Sequence, residues 1–196
     1  MSILNNIISI SSSEKRSSEH TELRLLIKDC LASSRSAQKK LYDLYAPGAY
    51  GVIKRYIYNN EPLANEILND SFYKIFTKLD QYSYQGVFEG WIRRIVVNTI
   101  TDHLRKNINT TQQHKELQSE DAFVNSEPVG NMSHKELLAL IQTLPDLQRA
   151  VFNLHVIENY SHKEIGLLLN ISDNNSRWHL NDARKRLKAK INLMLK

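Results

Sequence analysis

The chain has 196 residues, enough for one domain or two small ones, and a formal net charge of +5, which favours polyanionic partners. A single cysteine, Cys30, excludes an internal disulfide framework, and no apolar run approaches the length of a membrane span, so no membrane insertion is expected. Six glycines, four prolines and few strand-like alternations point to an all-α protein of a reducing, cytoplasmic compartment.

Residues 1–20 are polar and serine-rich and read as a disordered tail. The helical period begins at Thr21, with Leu23, Leu26, Ile27, Cys30 and Leu31 as the first apolar stripe. Ser36 opens a second helix through Leu41, Leu44 and Tyr45. An interruption is expected at Pro47-Gly48, before Val52, Ile53, Tyr56 and Ile57 resume the pattern. A third helix starts around Pro62, a residue suited to a first turn, and buries Ala64, Leu68, Phe72, Ile75 and Leu79. Its other face carries Glu66, Asp70, Tyr73 and Thr77, with Asn65 and Asn69 alongside. That face is either solvated or an acidic docking surface for a basic partner.

The fourth helix, Phe88–Lys106, is the most informative segment. Phe88, Trp91, Ile92, Ile95, Val96, Ile100 and Leu104 occupy most of its circumference. One polar stripe remains: Arg94, Asn98, Thr101 and Arg105, with Trp91 at its border and Lys106 at its end. Arginine neutralises phosphate and an aromatic face stacks an unpaired base, so the stripe suits a separated nucleic-acid strand. The plain alternative is the wet side of a bundle helix. The loop before it carries Tyr82, Ser83, Tyr84 and Gln85, which either hold a flipped base or cover the core.

Residues 107–132 carry no period and are rich in Asn, Gln, Ser and acids. The linker is drawn at 109–132, between domains at 21–108 and 133–196. Ser133 to Glu136 and Ser161 to Glu164 are capping boxes, with Met132 and Tyr160 placed as hydrophobic staples onto Leu137 and Ile165. Pro145 suits the first turn of a helix striped by Leu147, Val151 and Leu154. The helix Ser161–Leu169 stops at Asn170, and Ser172 caps a last, basic helix. A short helix, a tight turn and a longer basic helix form a helix-turn-helix signature. On the last helix Leu180, Ala183, Leu187 and Ile191 face inward. Asn174, Trp178, Asn181 and Lys185 face outward, bordered by Asn175, Arg177, Asp182 and Arg184. Ser161 stands at the start of the preceding helix. Asn pairs with adenine and Arg with guanine in the major groove.

Catalytic constellations are not found: the seven histidines make no ligand spacing with Cys or carboxylates, and there is no glycine-rich phosphate loop. Neither metal nor cofactor is expected, and the chain does not read as an enzyme.

These segments together resemble the extracytoplasmic-function branch of the sigma-70 family of bacterial RNA polymerase sigma factors. Ala64–Phe76 looks like the polymerase-binding helix of region two. Trp91, Asn98, Asp102, Leu104 and Arg105 match a Trp…Asn…Asp…Leu-Arg pattern. Leu144–Leu154, Tyr160–Ser172 and Ala183–Leu187 look like region four. The resemblance implies that Asn65, Glu66, Asn69, Asp70 and Tyr73 bind core polymerase. It implies that region two opens and reads the minus-ten element, and that region four reads the minus-thirty-five element. Its partners would be core RNA polymerase, promoter DNA and an anti-sigma protein. The chain departs from the family at Asn174-Asn175-Ser176, where Gly-Thr-Val is usual and Ser176 takes a normally apolar position, and at Asp182, where a basic residue is common. Two rival readings stay open on the residues alone. One is a stand-alone helix-turn-helix regulator, the other a helical adaptor with no nucleic-acid role.

Overall fold

The computed structural model describes residues 20–111 and 133–194, and no strand occurs among them. The expected tail up to residue 19 and the body of the expected linker, 112–132, lie outside the described residues.

Helix α1 (residues 20–31) buries Leu26, Ile27 and Cys30, while Leu31 is half exposed and leaves the predicted stripe. Ser34 caps α2 (Arg35–Tyr56) by accepting from the Ala37 amide at 3.4 Å. The expected break at Pro47 does not occur, because α2 runs straight through it. Proline removes one bond, to the carbonyl of Asp43. Both residues lie on the exposed side, where water can satisfy that carbonyl. Asn60 caps α3 (Glu61–Thr77) at the Leu63 amide, 3.1 Å, with Pro62 in the first turn as expected. A single 3-10 turn, Leu79–Gln81, leads to the loop before α4 (Phe88–Thr111). Helix α4 extends to Thr111, past the expected end at Lys106 and into the first residues assigned to the linker.

Helices α2, α3 and α4 pack pairwise around one apolar core. Leu41, Ile53, Ile67, Phe72, Ile75, Val96 and Ile100 are its centre. One end is aromatic: Phe88 meets Tyr45 at 5.2 Å, Tyr82 at 4.8 Å and Trp91 at 5.5 Å.

The second half is built from shorter pieces. Ser133 and Glu136 close a capping box on α5 (His134–Gln142). Pro145 stands one residue ahead of α6 (Asp146–Phe152), at its N-cap rather than inside its first turn. The chain then widens into a π turn, Asn153–Ile157. A second capping box, Ser161 with Glu164, opens α7 (His162–Leu169), and α8 (Asp173–Met194) closes the fold. Helix α8 lies against both α6 and α7, and α7 also packs on α4, so the two halves touch.

Candidate nucleic-acid interface

Arg94, Asn98 and Lys106 stand exposed on α4, in line with the expected stripe. Arg105 is half-buried and donates to Asp102 at 2.9 Å. Thr101 is a correction: it is only 1% exposed, and its hydroxyl donates to the Asn98 carbonyl at 2.9 Å. Gly90, Val97 and Thr101 share one flank of α4. Gly90 and Val97 line a cleft opposite Ile157–Tyr160 and Glu164 of the second half. Periodicity within one helix cannot reveal that a distant segment docks beside its wet edge. Trp91 is half-buried and stacked on Phe88 at 16°, so one of its faces belongs to the core.

The loop divides its roles. Tyr82 is 6% exposed, its hydroxyl donates to the Gly86 carbonyl at 2.9 Å, and its ring packs on Phe88 and Trp91. Of the two uses open to it, it covers the core. Burial pushes its phenol pKa up. Tyr84 is partly exposed at φ 59°, with the Arg24 guanidinium 4.8 Å above its ring. Ser83 and Gln85 are exposed. The φ of +89° at Gly86 is one that a side chain would strain.

On α3, Asn65, Glu66, Asn69, Asp70 and Tyr73 form a continuous exposed face, with Tyr73 the most open. Asp70 is not free, since His103 Nε2 of α4 lies 2.8 Å from its carboxylate. Lys74 donates to Asp102 at 3.0 Å, so Asp102 also holds Arg105 from a second side. This α3–α4 polar seam was missed in the sequence because its members sit at the borders of their helices. It brings Glu66, Asp70 and His103 together with ligand-type atoms within 4.8 Å of one another. The two exposed acids beside a hydrogen-bonded histidine make a negatively charged patch.

The helix-turn-helix is α7, its turn and α8. Asn170 closes α7 at φ 55°, as expected of a residue that tolerates left-handed backbone. Gly166 lets the turn come close: a Cβ there would meet the Ile171 carbonyl at 2.8 Å. Ser172 caps α8 at the Asn175 amide, 3.1 Å. The polar Ser176 in the core has a partner: its hydroxyl pairs with His162 Nδ1 at 2.9 Å. The His162 ring stacks on His155 at 4.4 Å. Burial lowers the pKa of His162, helped by the neighbouring His155, Arg177 and Arg184. Burial lowers that of His179 further, to about 4.

Asn174, Arg177, Arg184 and Lys185 are exposed on α8, Trp178 and Asn181 partly so, and Ser161 is open at the start of α7. Arg177 is loosely held by Asp173 at 3.2 Å. Asn175 departs from expectation, being only 7% exposed. Helix α8 is wedged between α6 and α7, which widens its buried arc to take in Asn175 and His179 together. Asp182 accepts from Gln148 at 3.0 Å and Arg186 at 2.7 Å, so it ties α8 to α6 and steadies one arginine.

Family models for sigma-70 region 2 and sigma-70 region 4 match residues 41–109 and 134–187. The extracytoplasmic-function sigma factor SigM of Bacillus subtilis is 26% identical over 161 residues, covering 78% of this chain and 94% of SigM. SigW of the same organism is 24% identical over 182 residues, covering 84% of this chain and 94% of SigW. Among solved structures, the sigma factor RpoE from Bartonella quintana, in complex with the anti-sigma factor NepR, matches with a TM-score of 0.45 and 16% identity. That match covers 77% of this chain and 94% of RpoE. A stand-alone regulator would have no use for a region 2, and an adaptor would have none for either region. With both regions in this order on one helical chain, the protein belongs to the sigma-70 family as an RNA polymerase sigma factor of the extracytoplasmic-function branch.

Proposed function

We propose a division of labour between the two halves of this sigma factor. Region two, residues 21–108, docks on core polymerase through α3 and opens and reads the minus-ten element through α4. Region four, residues 133–196, reads the minus-thirty-five duplex through α8. The segment 109–132 joins them. The observation that carries this reading is the edge of α4: Arg94 and Asn98 stand exposed one turn apart on a helix that buries Phe88, Ile92, Val96, Val97, Ile100 and Leu104, with Lys106 exposed further along. Lys and Arg on such an edge neutralise backbone phosphates. The half-buried Trp91, the partly exposed Tyr84 and the open Ser83 and Gln85 lie at the same end, where an unstacked base needs an apolar face and polar groups.

On α8, Asn174 and Asn181 suit adenine, Arg177 a guanine or a phosphate, and Arg184 and Lys185 the backbone. Glu66 and Asp70 support docking on a basic polymerase surface, chiefly by raising the association rate. The protein acts without a catalytic centre of its own, in the cytoplasm, and takes an anti-sigma protein as regulator. The test is run-off transcription with core polymerase, with permanganate footprinting of the open strand. Arg94→Ala with Arg105→Ala should abolish opening and flatten the salt dependence while leaving minus-thirty-five binding in place. Normal opening by that variant would reduce the edge to a solvated surface.

A further inference from the structure

No site residue read from the sequence lies on α1, and the region 2 family match begins beyond it, at residue 41. Yet α1 reaches the loop that precedes α4. The Arg24 guanidinium lies over the Tyr84 ring, 4.8 Å from its centroid. Tyr84 holds φ 59°, a left-handed backbone that a bulky aromatic residue seldom takes. Residues kept in such conformations gather at ligand clamps and active sites. The loop around Tyr84 is closed: the Tyr82 hydroxyl donates to Gly86 O at 2.9 Å, and the Tyr82 ring stands 4.9 Å from that of Tyr84. Tyr82 in turn packs on Trp91 at 5.6 Å. Arg24, Tyr84, Tyr82 and Trp91 therefore form one continuous series of flat groups running from α1 to α4.

Arg24 differs from Arg55, Arg93 and Arg105 in what it touches. Arg55 and Arg93 are tied to Glu158, and Arg105 to Asp102. Arg24 is exposed, and its contact is with a ring rather than a carboxylate. A guanidinium is planar and weakly hydrated. It stacks on an aromatic ring with one face, offers the other face to a base, and keeps its N–H groups in the plane to donate. Lysine supplies the charge without the plane. Leu26, Ile27 and Cys30 bury the other side of α1, so Arg24 is carried on a fixed element. Lys28 follows it one turn on, exposed on the same side, where it suits a backbone phosphate.

We infer that Arg24 is a specificity-determining residue of minus-ten recognition: the unstacked base lies on the outer face of its guanidinium, with Tyr84 behind it and Lys28 on the strand beside it. The inference rests on the proposed role of the loop 82–85. Its test uses the full chain bound to core polymerase and a single-stranded minus-ten oligonucleotide, intact or made abasic at one position at a time. Binding of minus-thirty-five duplex serves as the control and should be the same in every variant.

One abasic position should cost the parent most. Arg24→Lys keeps the charge. It should weaken the intact strand by about tenfold, the worth of one stacked base, and leave binding of the strand abasic at that position unchanged. Lys28→Ala should weaken both strands alike. The loss in Arg24→Lys should persist in a Tyr84→Ala background, because the base touches Arg24 itself. Full affinity in Arg24→Lys, or equal loss on the two strands, reduces Arg24 to a surface charge and overturns the inference. A loss that vanishes in the Tyr84→Ala background also overturns it, since Arg24 would then only position the ring. If no abasic position matters to the parent, and exchanging the loop for Gly and Ser leaves base preference unchanged, the reading of the loop falls, and Arg24 with it.

Discussion

The two regions reach a unique helical packing by different means. Region two has long helices and a broad apolar core whose polar members are few: Ser71, Thr99 and Thr101 bond only to carbonyls of their own helix. Region four has short helices and a core laced with polar groups, among them Gln148, Arg149, Asn153, Asn175, Ser176 and His179. Its helix ends are fixed by two complete capping boxes. A large apolar core needs little beyond shape to specify its packing. A small one supplies less burial, so caps and paired polar groups carry more of the specification, at the cost of sensitivity to protonation.

The sharpest break of this contrast is in the aromatic end of region two. Phe88→Ala removes a fully buried ring that touches Tyr45, Tyr82 and Trp91. It should cost about 3–5 kcal/mol. Hydrogen exchange should show the loss in α2, α3 and α4, with α8 protected to a greater extent. Equal loss across all helices would mean that the two regions fold as one unit.

Acid should act the other way, on region four. His179 is held neutral by burial, with a folded pKa of about 4 against an ordinary 6.5. The unfolded chain therefore binds a proton that the folded chain refuses. Stability is full above pH 6.5 and falls as pH drops from there toward 4, by on the order of 3 kcal/mol. The lowered pKa of His162, caused first by burial, acts in the same direction. Exchange protection of α7 and α8 should fall between pH 6.5 and 4.5 ahead of that of α2, and His179→Leu should flatten the decline. Parallel decline of both regions in the parent would remove the contrast.

The smallest effect separates caps from core. Ser133→Ala deletes the side chain that accepts from the Glu136 amide and donates to its carboxylate at 2.7 Å. A loss of about 1 kcal/mol is expected, confined to α5 and read as local fraying by exchange. No measurable fraying would show that packing, not capping, defines that helix start.

The sequence by itself determined the all-helical class and most helix starts, because caps and turn residues act within four residues of themselves. Ser133, Ser161, Asn170 and Ser172 could therefore be placed without a structure, as could the apolar faces of α3 and α4. It also determined the order of two recognisable regions, and with them the family. Pro47 misled because the penalty of an interior proline depends on whether the stranded carbonyl meets water or core. Tertiary structure alone decided that Tyr82 belongs to the core, that Asn175 and Thr101 are buried, and that Ser176 has His162 as partner. It alone decided that Gln142, Arg149 and Asn153 donate to the last carbonyls of α2, those of Lys54, Tyr56 and Arg55. Each of these depends on which distant element lies alongside, and sequence periodicity records only the faces of one helix at a time.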